Sequence, residues 1–132
     1  MTNKTTNEFS FVLKPSKYGV GVFVTHDIMK GTQLRLFGKD GKQGDCVRKK
    51  NKVPRRFFDY CIEQNDYLVC PKDFGCMPVG WYINHSTNFN ATHHKDYGFY
   101  ASKDIKEGDE ILIDYNTLGE PDKFKDDYYK NK

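Results

Sequence analysis

The stretch GWYINHSTNFNAT, residues 80 to 92, sets Asn84, His85, Asn88 and Asn90 directly behind Trp81, Tyr82 and Ile83, where the surrounding pattern is that of a core. A buried amide or imidazole without hydrogen bonds costs on the order of 1–3 kcal/mol, so these side chains need partners. Zinc is one candidate, with His85, His93 and His94 beside Cys70 and Cys76 as nitrogen and sulfur donors. The Cys70-x5-Cys76 spacing departs from the usual knuckles, however, and no metal is expected. A polar knot that fixes a chain crossing is another candidate, and a bound ligand a third. Two further places carry suitable residue types. Tyr18-Gly19-Val20-Gly21 reads by itself as a turn entering a strand, and Tyr115, closing Ile111-Leu112-Ile113, reads by itself as a core or interface tyrosine.

The elements that must hold these residues are mostly strands. FSFVLK (9–14), GVGVFVT (19–25) and TQLRLF (32–37) are short runs rich in Val, Phe and Leu, and DYLVCP (66–71) is another. GKDGKQGD (38–45) is a glycine-punctuated loop. Pro54 opens a helical turn in which Phe57, Phe58, Cys61 and Ile62 recur at helical spacing. A short helix is expected after Pro121, with Phe124 and Tyr128 on one face and Tyr129 beside them.

VFVTHDIMKGTQL (22–34) and FYASKDIKEGDEI (99–111) match at an offset of 77 residues, so that Asp27 corresponds to Asp104, Ile28 to Ile105 and Gly31 to Gly108. Each copy reads as strand, turn, strand, in which Asp bonds nearby amides, Ile plugs the core and Gly supplies a positive φ. The expectation is a mostly β domain with short helices, built from two similar units with irregular chain between them. Two copies exclude a solenoid.

At 132 residues, with 37% hydrophobic side chains, the chain suits one domain, preceded by a disordered tail over residues 1–7. The formal net charge of +3 is too small to argue for nucleic acid, and the basic run VRKKNKVPRR (47–56) lacks interleaved aromatics and reads as a solvated loop. No apolar run approaches the ~20 residues that span a bilayer, and the N-terminus is polar, so a soluble intracellular protein without membrane association is expected. Cys46, Cys61, Cys70 and Cys76 form no CxxC pair, and reduced thiols are expected.

Taken in order, YGVGVF (18–23), INHSTNFNA (83–91) and GDEILIDYN (108–116) resemble the GxG, RFINHSCxPN and GEELxxDY segments of the SET domain of protein-lysine methyltransferases, particularly the compact SET proteins of viruses and bacteria. The resemblance implies a β-clip-like SET fold over residues 8–116, with a pseudoknot-like C-terminal threading, and a segment 117–132 that closes the active site. It implies an S-adenosylmethionine pocket lined by Tyr18, Gly19, Val20, Trp81, Tyr82, Asn84 and His85. Tyr115 takes the catalytic position, and Asn88 and Asn90 bond backbone rather than substrate. Ile113, Tyr60, Tyr67 and Phe124 are the implied lysine-channel residues.

This sequence departs from the family at several points. Thr87 and Phe89 replace Cys and Pro, Trp81-Tyr82 replaces Arg-Phe, and the Tyr-x-Gly segment is reduced to Phe37-Gly38. No cysteine follows Cys76, so the zinc-binding CxCxxxxC tail is missing; Phe124, Tyr128, Tyr129 or a second subunit in a homodimer would complete the channel.

The implied reaction is an in-line transfer of methyl from a sulfonium to the lysine of a protein or peptide, which requires collinear nitrogen, carbon and sulfur. The lysine must be neutral, at a cost of ~4 kcal/mol at about pH 7.4, and a nearby sulfonium and an apolar channel favour the neutral form. No carboxylate base is required, and Asp114 is expected to serve structure. A catalytically weak SET-like interaction module is the alternative, distinguished by a failure to bind S-adenosylmethionine.

Overall fold

The computed structural model describes residues 5–17, 19–37, 46–94, 98–118, 121 and 123. Its strands are β1 (Phe11–Ser16), β2 (Gly19–Val24), β3 (Gln33–Leu34), β4 (Cys46–Lys49), β5 (Ile62–Glu63), β6 (Tyr67–Cys70), β7 (Asn84–His85), β8 (Ala91–His93), β9 (Phe99–Ala101) and β10 (Leu112–Ile113). They form four small sheets ordered β1-β2, β3-β9-β8, β4-β6-β5 and β10-β7. The helical elements of the fold are short 3-10 segments at Lys50–Lys52, Arg55–Tyr60, Val79–Tyr82 and Tyr115–Thr117. Pro54 and Pro78 each stand just before one of them, with φ near −58° and −57°. Proline's fixed φ suits the entry to a turn. Pro54 thus lies before the expected helical turn rather than inside it.

The repeat read from the sequence is a pair of interlocked units. Ile28 and Ile105 exchange backbone hydrogen bonds at 2.7 and 2.8 Å. Around them the pattern recurs with the two copies exchanged: Gly31 N–H donates to Ala101 O at 2.8 Å and Gly108 N–H to Val24 O at 2.9 Å. Gln33 pairs with Tyr100, and Glu110 with Phe23. Gly31 and Gly108 both have φ near 90°, which an L side chain rarely adopts. The core follows the same relation. Among the buried cluster residues, Val22 and Phe99, Val24 and Ala101, Ile28 and Ile105, Leu34 and Ile111, and Leu36 and Ile113 are all partners at the 77-residue offset.

Three expectations need correction. Residues 5–7, assigned to a disordered tail, are held against β3: Thr6 is buried, its N–H donates to Gln33 O at 3.0 Å, and its hydroxyl accepts from Arg35 N–H at 2.8 Å. The basic run 47–56 is not a loop but β4 followed by two 3-10 turns, with Lys50 paired to Glu63 at 2.8 Å and Arg48 donating to the carbonyls of Pro71 and Lys72. The strand expected over 32–37 contracts to Gln33–Leu34, because beyond it Leu36 N–H bonds Leu34 O and Phe37 turns into the core. The loop 38–45 and the tail beyond Pro121, apart from Lys123, lie outside the described residues. No helix among the described residues is long and apolar enough to cross a membrane.

Candidate functional site

The site is assembled where β7 and β10 run parallel, with Leu112 opposite Asn84 and Ile113 opposite His85. Parallel pairing requires chain segments distant in sequence to lie side by side, which is how residues 84–90 come against residues 110–115. Asn90 fastens the junction with its side chain, donating to Glu110 O at 2.8 Å and accepting from Leu112 N–H at 2.9 Å. Asn88, expected to bond backbone, instead receives Lys103 Nζ at 3.3 Å on its side-chain oxygen.

Asn84 sits at the meeting point of three segments. Its amide nitrogen lies 2.7 Å from Glu110 Oε2, 3.1 Å from Val20 O and 3.1 Å from Ser16 Oγ. An amide has two hydrogens, so Glu110, Val20 and Ser16 share them. Gly21 makes room for it: a Cβ there would stand 2.3 Å from Glu110 Oε2 and 2.9 Å from Ser16 Cβ. Gly19, with φ 105°, leaves open space where a side chain would be, and Val20 is 47% exposed. The corner is therefore open, rich in acceptors and floored by backbone.

His85 is buried, and its Nδ1 accepts from Tyr115 N–H at 3.0 Å. An accepting Nδ1 places the ring proton on Nε2, so the imidazole is neutral. Burial pushes its pKa below the ordinary 6.5, against the opposing pull of the Asp114 carboxylate 3.7 Å away. Asp114 itself caps the last turn, accepting from Asn116 N–H at 3.0 Å. The Tyr115 ring lies 5.2 Å from that of His85, and its hydroxyl donates to Ile83 O. With its proton committed to that carbonyl, the phenol oxygen can act toward another neighbour only as an acceptor.

The structure thus brings Val20, Asn84, His85, Ile113 and Tyr115 into one connected region, with Gly19 at its open margin. Trp81 and Tyr82 lie on the preceding 3-10 turn, which packs on β1 and β2. Trp81 meets Phe37 edge-on at 5.7 Å, and the Tyr82 hydroxyl reaches Met77 Sδ at 4.0 Å. Tyr60 and Tyr67 are exposed on the β4-β6-β5 side of the chain, the former 6.5 Å from the Phe57 ring. Tyr18 and Phe124 lie outside the described residues. Ser16 and Glu110 were missed in the sequence. Glu110 was legible in part, because it alternates with the fully buried Ile111 and so must face away from the core.

His93 packs 5.1 Å from Phe99 and His94 4.4 Å from Tyr100, so the three histidines are dispersed among separate aromatic partners. Among the described residues no group of three or more His, Cys, Asp or Glu is arranged to hold a metal ion.

The SET domain family model matches residues 19–116. The chain belongs to the SET domain family. Solved structures share the SET fold. A Plasmodium falciparum protein assigned as a histone methyltransferase is 23% identical with a TM-score of 0.51, covering 81% of this chain and 93% of its own. KRYPTONITE in complex with DNA, an H3(1-15) peptide and SAH is 20% identical with a TM-score of 0.56, over 82% of this chain and 23% of its own. The Polycomb Repressive Complex 2 of Chaetomium thermophilum bound to S-adenosylmethionine is 22% identical with a TM-score of 0.57, over 83% and 15%. This SET chain therefore spans most of the first and under a quarter of the other two. No match was found among curated proteins.

Proposed function

We propose that this SET protein is an S-adenosylmethionine-dependent methyltransferase acting on a lysine side chain of a protein or peptide. The observation that carries the reading is the β7–β10 junction, which holds the Asn84 corner on β7 and, through the 3-10 turn that follows β10, the Tyr115 hydroxyl bonded to Ile83 just before β7. Two solved relatives contain SAH or S-adenosylmethionine, and one of them an H3 peptide, which supports the same reading.

The residues fit that cofactor. The Glu110 carboxylate and Val20 carbonyl both face the Asn84 amide at this open corner, and a cationic amino group is a partner that a carboxylate beside a carbonyl favours. Bare backbone at Gly19 and the exposed Val20 side chain allow close approach beside it. When bound, the cofactor supplies the electrophilic methyl on a sulfonium.

The chain's own part is positioning. His85 fixes the Tyr115 backbone, Ile83 fixes its hydroxyl, and the phenol oxygen accepts from an amine N–H or from the polarised methyl. Ile83 and Ile113, both buried, keep water from the region beneath. An apolar channel favours the neutral lysine amine, and no general base is needed.

Calorimetric titration with S-adenosylmethionine, followed by incubation with histones, ribosomal proteins and lysates and mass spectrometry of the products, tests the reading. Binding together with methyl-lysine is expected. A folded protein that does not bind the cofactor would be a SET-like interaction module instead.

A further inference from the structure

Three of the four cysteines lie in a row across the β4-β6-β5 sheet. Cys46 is directly opposite Cys70 in the antiparallel register of β4 and β6. On the other side of β6, Ile62 pairs with Val69 and Glu63 with Leu68, and one more step of that register sets Cys61 opposite Cys70. Side chains directly opposite on antiparallel strands share one face of the sheet, so the Cys70 thiol stands beside those of Cys46 and Cys61. Residues directly opposite on antiparallel strands have Cα atoms about 4.5–5.5 Å apart, inside the span that a disulfide bridges. A row across strands is not a cage, in keeping with the lack of any metal-holding group among the described residues.

The surroundings of the three thiols differ. Cys70 is fully buried, whereas Cys46 and Cys61 are half-buried. The Cys61 thiol donates to Phe57 O at 3.2 Å, and burial pushes its pKa up to about 12; burial also raises that of Cys70, to about 11. Both are thiols rather than thiolates at neutral pH. Cys46, on the outer strand β4, is the half-buried member of the opposed Cys46–Cys70 pair and so the one that an oxidant from solvent reaches first.

We propose that Cys46 and Cys70 form a peroxide-responsive disulfide site, in which Cys46 is oxidised first and Cys70 resolves it. The Cys46 sulfur attacks hydrogen peroxide and the O–O bond breaks; sulfur keeps one oxygen as a sulfenic acid, and the other leaves as water with the proton that Cys46 gives up. The Cys70 sulfur then attacks the Cys46 sulfur as its own proton passes to the leaving oxygen, the S–O bond breaks and a second water departs. Two thiols are oxidised by two electrons, and one peroxide is reduced to two waters. Cys61, against the other side of Cys70, is placed to take over the bond by thiol–disulfide exchange, attacking Cys70 and releasing Cys46. The oxidised site would staple β4, and with it the basic run 47–56, to β6.

The test is to treat the full chain with hydrogen peroxide, block remaining thiols by alkylation and map the unreduced peptides by mass spectrometry. A Cys46–Cys70 link is expected within single molecules, kept in Cys76→Ser and reversed by dithiothreitol. Cys46→Ser, at a half-exposed position and so a safer variant than one at buried Cys70, should lose that link and leave Cys70 open to alkylation after unfolding. Oxidation of Cys46 to sulfinic acid with Cys70 still alkylatable would overturn the proposal, as would cross-links that run only through Cys76. A Cys61–Cys70 link formed at an unchanged rate in Cys46→Ser would show that Cys46 is not the entry point.

Discussion

Asp27 and Asp104 each serve the other's turn. The Asp27 carboxylate accepts from Glu107 N–H at 2.9 Å, and the Asp104 carboxylate accepts from Lys30 N–H at 2.8 Å. Lys30 and Glu107 are themselves partners at the 77-residue offset, so the exchange has the symmetry of a two-fold dimer within one chain. Asp27→Ala and Asp104→Ala should each destabilise by ~1 kcal/mol, the typical net worth of a hydrogen bond. Because both bonds tie the same two turns across the Ile28–Ile105 bridge, the double variant should depart from additivity by about 0.5 kcal/mol or more. Urea denaturation of the four proteins measures this; strict additivity would mean the turns are independent.

That symmetry was legible because it is written in local residue types: an Asp for the turn, an Ile for the core and a Gly for positive φ, each twice. The β7–β10 junction was legible only through a resemblance, since strands of two residues carry no periodicity of their own. The Asn84–Glu110 contact and the cysteine row depend on register between segments far apart in sequence, and neither spacing nor composition records register. The helical turn expected after Pro54 is 3-10 in form, and length is the reason: six residues are too few for a stable α-helix.

At the Asn84 corner, Asn84→Ala should abolish S-adenosylmethionine binding, since it removes the group that orders Glu110, Val20 and Ser16 around one point. Gly21→Ala should weaken binding about tenfold or more by driving the Glu110 carboxylate out of the space that it fills. Calorimetry on folded variants measures both. Wild-type affinity in Asn84→Ala would move the cofactor pocket elsewhere.

Tyr115→Phe should leave cofactor affinity nearly unchanged and lower kcat by about a hundredfold or more, because only the oxygen that accepts at the reaction centre is lost. The Ile83 carbonyl loses its donor as well, so a small drop in thermal stability is also expected. Single-turnover methylation at saturating cofactor separates the two effects.

His85 makes a pH prediction whose direction follows from its lowered pKa. Well above 6.5 the imidazole is neutral both folded and unfolded, and its ionisation has no effect on stability. As pH falls below 6.5 the unfolded chain takes up a proton that the folded chain resists, so folding loses stability until the folded pKa is reached. Protonation would also oppose the bond from Tyr115 N–H, so the tyrosine's placement weakens in the same window. An NMR titration should give His85 a pKa below the ordinary value, and His85→Gln should flatten the acid side of a plot of Tm against pH. A His85 pKa above 6.5 would mean that Asp114, not burial, governs the ring.

On the proposed lysine methyltransferase reading, Ile113 would bear on how many methyl groups are added. It is 5% exposed, lies opposite His85 and belongs to the buried cluster against which Tyr115 packs. An isoleucine has no hydroxyl to hold a water where a further methyl group must sit, and it is smaller than tyrosine, so an amine beside it can rotate after each transfer. Di- or trimethyl-lysine is therefore the expected product, and Ile113→Tyr should shift it toward monomethyl-lysine. The larger side chain must also fit within the buried cluster to which Ile113 belongs, which typically costs ~1–3 kcal/mol, so folding must be verified by circular dichroism and Tm. Mass spectra at completion decide the matter: monomethyl-lysine from both proteins would show that Ile113 packs the core without bordering the lysine.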